Sequence, residues 1–467
     1  MTLFNKYPPI PRSASAFEPL NGLQRTGILT LLLFALIFGG IVELRGALQN
    51  TRKTDLKVYV RAAWSARAGE DLYSTTDESG WHYVYPPLFA LLMTPLAEPP
   101  SWQRQVWHIP FAVSVGLWYI LTMLLGIAGV HNLATALEED SPNPAVRALP
   151  RFCQRWWALR IMPLLILLPA IGRSQMRGQV GLVIAWLLCG AAAALIRGRR
   201  YRAGLWLAAS ICIKIIPAFL LLFPAWRRDL RMTGGSLTGL ALGLAAVPLL
   251  FLGPQKTLDA YQSFYQETLV AGVTGSAEGS RGTELTGITS TDSNSPMVVM
   301  HNLLHPFENP RPKAASPAVH AAHWALAAVL SLVTLLAAGW TRGPWRQEAT
   351  AGAASREALF FGALILLMMT GSPVFHPHYV SMALPLITVL LAVLWDRYPY
   401  PSMSRQWAGL FLCVFTSHVL TSIGGALWFL RDFGLVLLST LLLWAGCIAL
   451  LRKSPRGSRD LQASAGT

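Results

Sequence analysis

The sequence predicts an all-α fold, a polytopic bundle of transmembrane helices, on three observations. Of the 467 residues, 53% are hydrophobic and only 13% charged, an apolar share above that of soluble domains and a charged share about half of theirs. The mean hydropathy is +0.43. The apolar residues also gather into runs, separated by polar stretches, on the scale needed to cross the roughly 30 Å of hydrocarbon in a bilayer. The same figures exclude disorder, which needs low hydrophobicity, and five Cys are too few for a disulfide-stapled fold.

Along the chain the runs are Thr26 to Leu44, Val84 to Ala97, Val106 to Val130, Leu159 to Ile171, Val180 to Ile196 and Ala203 to Trp226. They continue with Ser236 to Gly253, Val319 to Trp340, Ala358 to Gly371, His378 to Trp395, Trp407 to Leu427 and Phe433 to Leu451. That makes about 12 membrane segments. Several fall short of the roughly 20 residues an upright helix needs. Short or re-entrant segments are therefore expected, since a bundle tolerates them where the backbone lines a cavity; the alternative is ordinary tilted spans with other ends. No small-residue cleavage site follows the first run, so it reads as a retained anchor. The resulting organisation is a cytosolic tail over 1–25, a transmembrane domain over 26–451 with external loops at about 45–83 and 254–317, and a second cytosolic tail over 452–467.

The net charge of +15 has a topological reading. Arg197, Arg199, Arg200 and Arg202 form one cluster, Arg227, Arg228 and Arg231 a second, and Arg452, Lys453, Arg456 and Arg459 a third. Each abuts an apolar run, where positive-inside loops put Lys and Arg. Apart from Tyr201, no aromatic residues interleave with them in the manner of a nucleic-acid surface, so no nucleic-acid partner is expected. Simple alternation puts the Arg197 to Arg202 cluster outside, which the rule disfavours. The conflict lifts if Ala203 to Trp226 is a V with its apex at Lys214 to Pro217, and parity then requires another short segment, such as Val84 to Ala97, to dip without crossing. Cys189, Cys212, Cys413 and Cys447 lie in apolar runs and Cys153 in a basic loop, with no CxxC pair, which suits inert packing or reduced thiols.

In the first external loop Leu56, Tyr59, Val60, Ala63 and Trp64 recur at helical spacing, with Lys57, Arg61 and Arg67 on the remaining surface. This predicts an amphipathic helix lying at the membrane interface, stopped by Gly69. Asp55 sits on its first turn, where a carboxylate stabilises the helix dipole whether or not it is catalytic. Pro86 and Pro87 hold Tyr85 at the start of the next apolar run, which an aromatic belt also explains. Gln179 follows a polar apex that carries Arg173 and Arg177. Lys214 stands inside AASICIKIIPAFLLL. A lysine within the membrane costs about 2.5–3.5 kcal/mol, so it is a functional candidate suited to pairing an anion. His376 and His378 flank Pro377 at the junction of two apolar runs; no further ligands stand at metal spacing, and a ligand-binding or a capping role fits equally.

The order DLKVYVRAAW, YVYPPLFALLMTPLA, RGQVGLVIAWLL, AGLWLAASICIKIIPAFLLL, GSPVFHPHYVSMALP resembles glycosyltransferase family 87 over about Leu44 to Leu394. The resemblance implies a GT-C-type enzyme that transfers a hexose, typically mannose, from a polyprenyl-phosphate sugar to an extracytoplasmic glycan or glycolipid acceptor. It implies Asp55 as catalytic base, Tyr85 in the loop-to-helix motif, Gln179 in a Gly-Gln pair, Lys214 in a Lys-x-x-Pro motif and His378 in the late Ser-Pro motif. Lys214, His378 and Arg173 would face the donor phosphate. The chain departs from the family's usual pattern at His376, where Trp is usual, and at SNSPM around Asn294, where an Asn-Gln-Ser motif is usual. No cofactor or metal is expected, because side-chain cations can neutralise a single departing phosphate. The expected partners are the lipid-linked donor, the acceptor and membrane lipids, and the expected site is outside the plasma (inner) membrane. The rival classes are a transporter or lipid-linked glycan flippase, for which a midplane Lys among broken helices is equally natural, and a lipid-linked glycan polymerase or ligase.

Overall fold

The computed structural model describes residues 19–48, 54–78, 80–100, 107–141, 144–148, 150–274, 288, 293–308, 310–339, 353–397, 412–422 and 428–453. Most of the two tails, the acids Glu278, Glu284 and Asp292 of the long loop, and both ends of the Trp407 to Leu427 run lie outside the described residues. Among the described residues the structure is helical, with two isolated β-bridges and no strand. Among the described residues seven helices are long and apolar enough to cross a membrane, or eight if one bent pair is a single span. The other apolar runs form shorter or broken helices, among them Gly181–Ile196 and Ile216–Arg227, in keeping with the expectation that some of the roughly 12 membrane segments are short or re-entrant.

Helix α1 (Gly22–Glu43) is followed by the outer region containing α2 (Asp55–Ala68) and α3 (Pro87–Leu92). The Val84 to Ala97 run is thus a helix of six residues and a short 3-10 turn, too short to cross. The long α4 (Phe111–Asp140) leads to α5 (Gln154–Ile166) and α6 (Leu168–Met176), which meet at 58°; Pro163 and Pro169 each withhold a backbone donor near that break. Then come α7 (Gly181–Ile196) and α8 (Arg200–Ile213).

At Lys214 the backbone leaves the helix for an extended conformation, with Pro217 opening a 3-10 turn that runs into α9 (Leu222–Arg227). The chain returns to its starting level: Arg200 Nε lies 3.9 Å from Asp229 Oδ2. Next is α10 (Leu230–Leu240), continued in helical form to Leu252. It runs parallel to α8, because the close contacts advance together along both helices: Gly235 against Tyr201, Gly239 against Ala208, Gly243 against Cys212. A Cβ at Gly204 would lie 2.1 Å from the Met232 carbonyl oxygen, so glycine alone allows this backbone approach. Parallel neighbours in sequence require a connection that reverses, and the V at Lys214 is that connection.

The remaining helices of six residues or more are α11 (Pro254–Phe264), α12 (Pro296–Leu304), α13 (Pro317–Ala338), α14 (Ala353–Thr370), α15 (Leu384–Arg397), α16 (Ser417–Ser422) and α17 (Leu435–Lys453) among the described residues, leaving aside short π and 3-10 turns. One end of the bundle is tied by basic side chains: Arg197 to Glu139 at 2.8 Å, Arg160 to Glu138 at 2.9 Å and Arg227 to Glu357 at 2.8 Å. The other end carries α2, α3, α11 and α12.

Helix α2 corrects an expectation. It does not lie on a surface with its charges outward; Leu56 and every residue from Val58 to Ser65 are buried. Arg61 is 4% exposed and pairs with Glu78, while Lys57 Nζ lies 2.8 Å from Glu98 Oε1. The 70–100 segment folds over the helix and supplies the acids that let its cations be buried.

Candidate functional site

The site is built where α2 begins beside the turn between α6 and α7. Gly178 ends α6 in the left-handed region at φ +65, and a Cβ there would lie 2.7 Å from Leu56 Cβ. This turn frees two carbonyls. That of Arg177 accepts from the Asp55 N–H at 2.8 Å, and that of Gly178 accepts from Trp118 Nε1 at 3.0 Å. The first turn of α2 is thereby held against the turn, and Gln179 Nε2 donates to Asp55 Oδ2. The other end of the Gln179 amide faces two phenols: Tyr85 and Tyr59 lie 3.3 and 3.5 Å from its Oε1, with 2.9 Å between their oxygens.

Asp55, Tyr59, Tyr85, Arg177, Gln179, His376, His378 and Tyr379 share one cleft that is open to solvent. Lys214 reaches the same place from the break after α8; its Nζ lies 4.2 Å from the centre of the Tyr379 ring and 5.2 Å from that of Tyr85. Such cation–π contacts hold an ammonium without neutralising it. The His376 and His378 rings stack at 5.5 Å, and Tyr379 meets both edge-on. His378 is 3% exposed and its Nε2 has no hydrogen-bond partner among the described residues.

Burial raises the Asp55 carboxyl above its ordinary value; the Arg177 charge, the Gln179 hydrogen bond and the Lys214 charge oppose the shift, and Asp77 adds to it. The result is a carboxylate held close to cations yet more basic than one in water, which suits proton abstraction.

Six of the eight residues singled out in the sequence converge here: Asp55, Tyr85, Gln179, Lys214, His376 and His378. Arg173 stands one turn before Arg177 and acts electrostatically on His378 and on His418 of α16. Asn294 is not among the residues that line the cleft; its backbone N–H donates to the Phe375 carbonyl at 2.6 Å, so it braces the chain next to His376. Tyr59, Arg177 and Tyr379 belong to the constellation, as do Trp81 and His82. Tyr59 was legible in part, since it lies four residues after Asp55 and so on the same helical face. Among the described residues no three or more of His, Cys, Asp and Glu stand together as a metal site would require.

The profile of Glycosyltransferase family 87 matches residues 83–373, more than half of the chain. Tyr85, Arg173, Gln179, Lys214 and Asn294 fall within that range; Asp55, His376 and His378 fall outside it. A Mycobacterium tuberculosis protein described as a polyprenol-phosphate-mannose-dependent alpha-(1-2)-phosphatidylinositol mannoside mannosyltransferase is 30% identical over 207 residues, 43% of this chain and 45% of that protein. The match thus spans a little under half of that relative's length. A crystal structure of ArnT from Cupriavidus metallidurans bound to undecaprenyl phosphate aligns at a TM-score of 0.44 and 13% identity, over 91% of this chain and 77% of that one.

Proposed function

This chain belongs to glycosyltransferase family 87, and on that premise we propose that it is an integral membrane hexosyltransferase that moves mannose from a polyprenyl phosphate to a glycan or glycolipid acceptor. The donor and the sugar are carried over from the description of the M. tuberculosis relative. The observation that supports the reading best is the meeting of one carboxylate with several cations in one cleft.

In this reading the acceptor hydroxyl gives its proton to Asp55 as its oxygen attacks the anomeric carbon. The bond from that carbon to the phosphate oxygen breaks, and the electron pair leaves with the polyprenyl phosphate. Arg177 and Lys214, with Arg173 behind them and His378 Nε2 as a further donor when it carries a proton, stabilise the charge that develops on the departing phosphate. These side chains are sufficient for a single phosphate, so the step needs no metal. The Gln179 amide orients the Asp55 carboxylate and is itself fixed by the two phenols. With the basic end of the bundle in the cytosol, as Lys and Arg placement favours, the cleft opens on the extracytoplasmic side of the plasma membrane.

The test is a transfer assay on the full-length protein in lipid nanodiscs, supplied with a panel of polyprenyl-phosphate hexoses and, separately, with nucleotide sugars. Transfer from polyprenyl-phosphate mannose is expected. Transfer from a nucleotide sugar alone overturns the donor class, and transfer from another polyprenyl-phosphate hexose overturns mannose.

A further inference from the structure

Two side chains in the cleft, Trp81 and His82, take no part in the transfer outlined above. They belong to a strongly constrained segment. The Trp81 N–H donates to Asp77 Oδ1 at 2.8 Å, the Asp77 N–H donates to the Trp81 carbonyl at 3.1 Å, and Thr76 and His82 pair through their backbones. The segment is fastened to α2, because Glu78 pairs with the buried Arg61 and lies 3.9 Å from Lys57 Nζ. Trp81 and His82 are nevertheless only half-buried. The backbone under this large aromatic side chain is thus fixed, and the ring packs in part against the core while still lining the cleft.

The cleft has two walls from distant parts of the chain. His376, His378 and Tyr379 come from the turn before α15, with Lys214 against Tyr379. Asp55, Trp81 and His82 come from the 54–85 region. The cations are concentrated on the first wall and at the Arg177 junction, and the base is on the second. In a displacement the attacking oxygen must touch the base while the cations hold the leaving phosphate, so the acceptor approaches along the wall that carries Asp55. A pyranose presents a face of C–H bonds, and an indole ring offers it a broad apolar surface at low conformational cost.

We infer that Trp81, with His82 beside it, is the platform on which the acceptor's sugar ring sits. This rests on the transferase reading, and it assigns to the acceptor a terminal hexose ring that contacts the protein directly. Asp77, whose carboxylate accepts from the Trp81 N–H, fixes the backbone under the platform as a positioning residue.

The experiment uses the full-length protein in nanodiscs with octyl mannoside as acceptor probe, measuring its equilibrium binding without donor and then its KM in transfer. Trp81→Leu should weaken binding and raise that KM by about tenfold, the scale of losing one well-placed aromatic contact, with the donor KM and the melting temperature unchanged. Trp81→Tyr should keep most of the binding, and Trp81→Gln serves as the second non-aromatic variant if Trp81→Leu does not fold. Octyl mannoside binding unaffected by both non-aromatic variants, or absent from the wild-type protein, would overturn the platform, as would a rise in the donor KM alone. Failure of the transferase reading looks different: there the wild-type protein binds octyl mannoside in a Trp81-dependent way and transfers nothing to it.

Discussion

Asp55→Asn separates a catalytic carboxylate from a structural one. As a charge on the first turn of α2, Asp55 contributes about 0.3–1 kcal/mol to the helix, and its loss would leave an active, slightly less stable protein. The structure argues for the opposite pattern. Burial raises the carboxyl above its ordinary value, so the folded protein disfavours the ionised form relative to the unfolded chain. The sign follows from linkage: stability tied to this group is fully present below the unfolded pKa and is lost as pH rises through the folded one. At neutral pH, Asn removes a burial penalty and keeps an oxygen that can accept from Gln179 Nε2. The melting temperature should therefore stay level or rise, while turnover falls by roughly 10²-fold or more, the scale of removing a general base. The assay is single-turnover transfer with donor binding measured alongside. In the wild-type protein the same carboxyl should set the acid limb of the pH profile, above the usual aspartate range, because only the ionised form accepts the proton. A variant that kept more than about a tenth of wild-type turnover, well short of the loss expected for a base, would refute the catalytic role.

Lys214→Met should weaken binding of a polyprenyl-phosphate sugar by about tenfold or more, the scale of losing a charge-assisted contact, while the protein folds normally; donor binding equal to wild type would sink its phosphate role. Gly178→Ala should destabilise the protein by about 1–2 kcal/mol through left-handed strain and lower turnover further by pushing Leu56 and so Asp55 away; thermal melts and kinetics check both, and an unchanged turnover would show that the turn does not position Asp55. In a Cys-free background, a thiol placed at Glu308 should label only from outside the cell and one at Arg199 only from the cytosol; labelling of both from one side would refute the assigned orientation.

Much of the fold was legible because membrane insertion is written in local composition. The break at Lys214 and Pro217 was suggested by a costly charge and a missing donor within one short stretch, and a turn back there was one way to reconcile the Arg197 to Arg202 cluster with positive-inside placement. The helical spacing of α2 was readable for the same reason, since periodicity is local. What the sequence did not contain was the cover over α2: Lys57 and Arg61 read as solvated charges until Glu98 and Glu78, from a later segment, are seen to pair with them.

The site divides in the same way. Composition and spacing alone marked Lys214 as an expensive charge and His376 with His378 as a polar junction, but left Asp55 as readable by its helix dipole as by any chemistry. Only the tertiary structure brings Gln179 to Asp55 across 124 positions, and it does so through a left-handed glycine whose carbonyl neighbours catch the start of α2. Tyr379 and Trp81 enter for that reason too. Each is unremarkable beside its sequence neighbours, and its chemistry is set by groups that only folding places within a few ångströms.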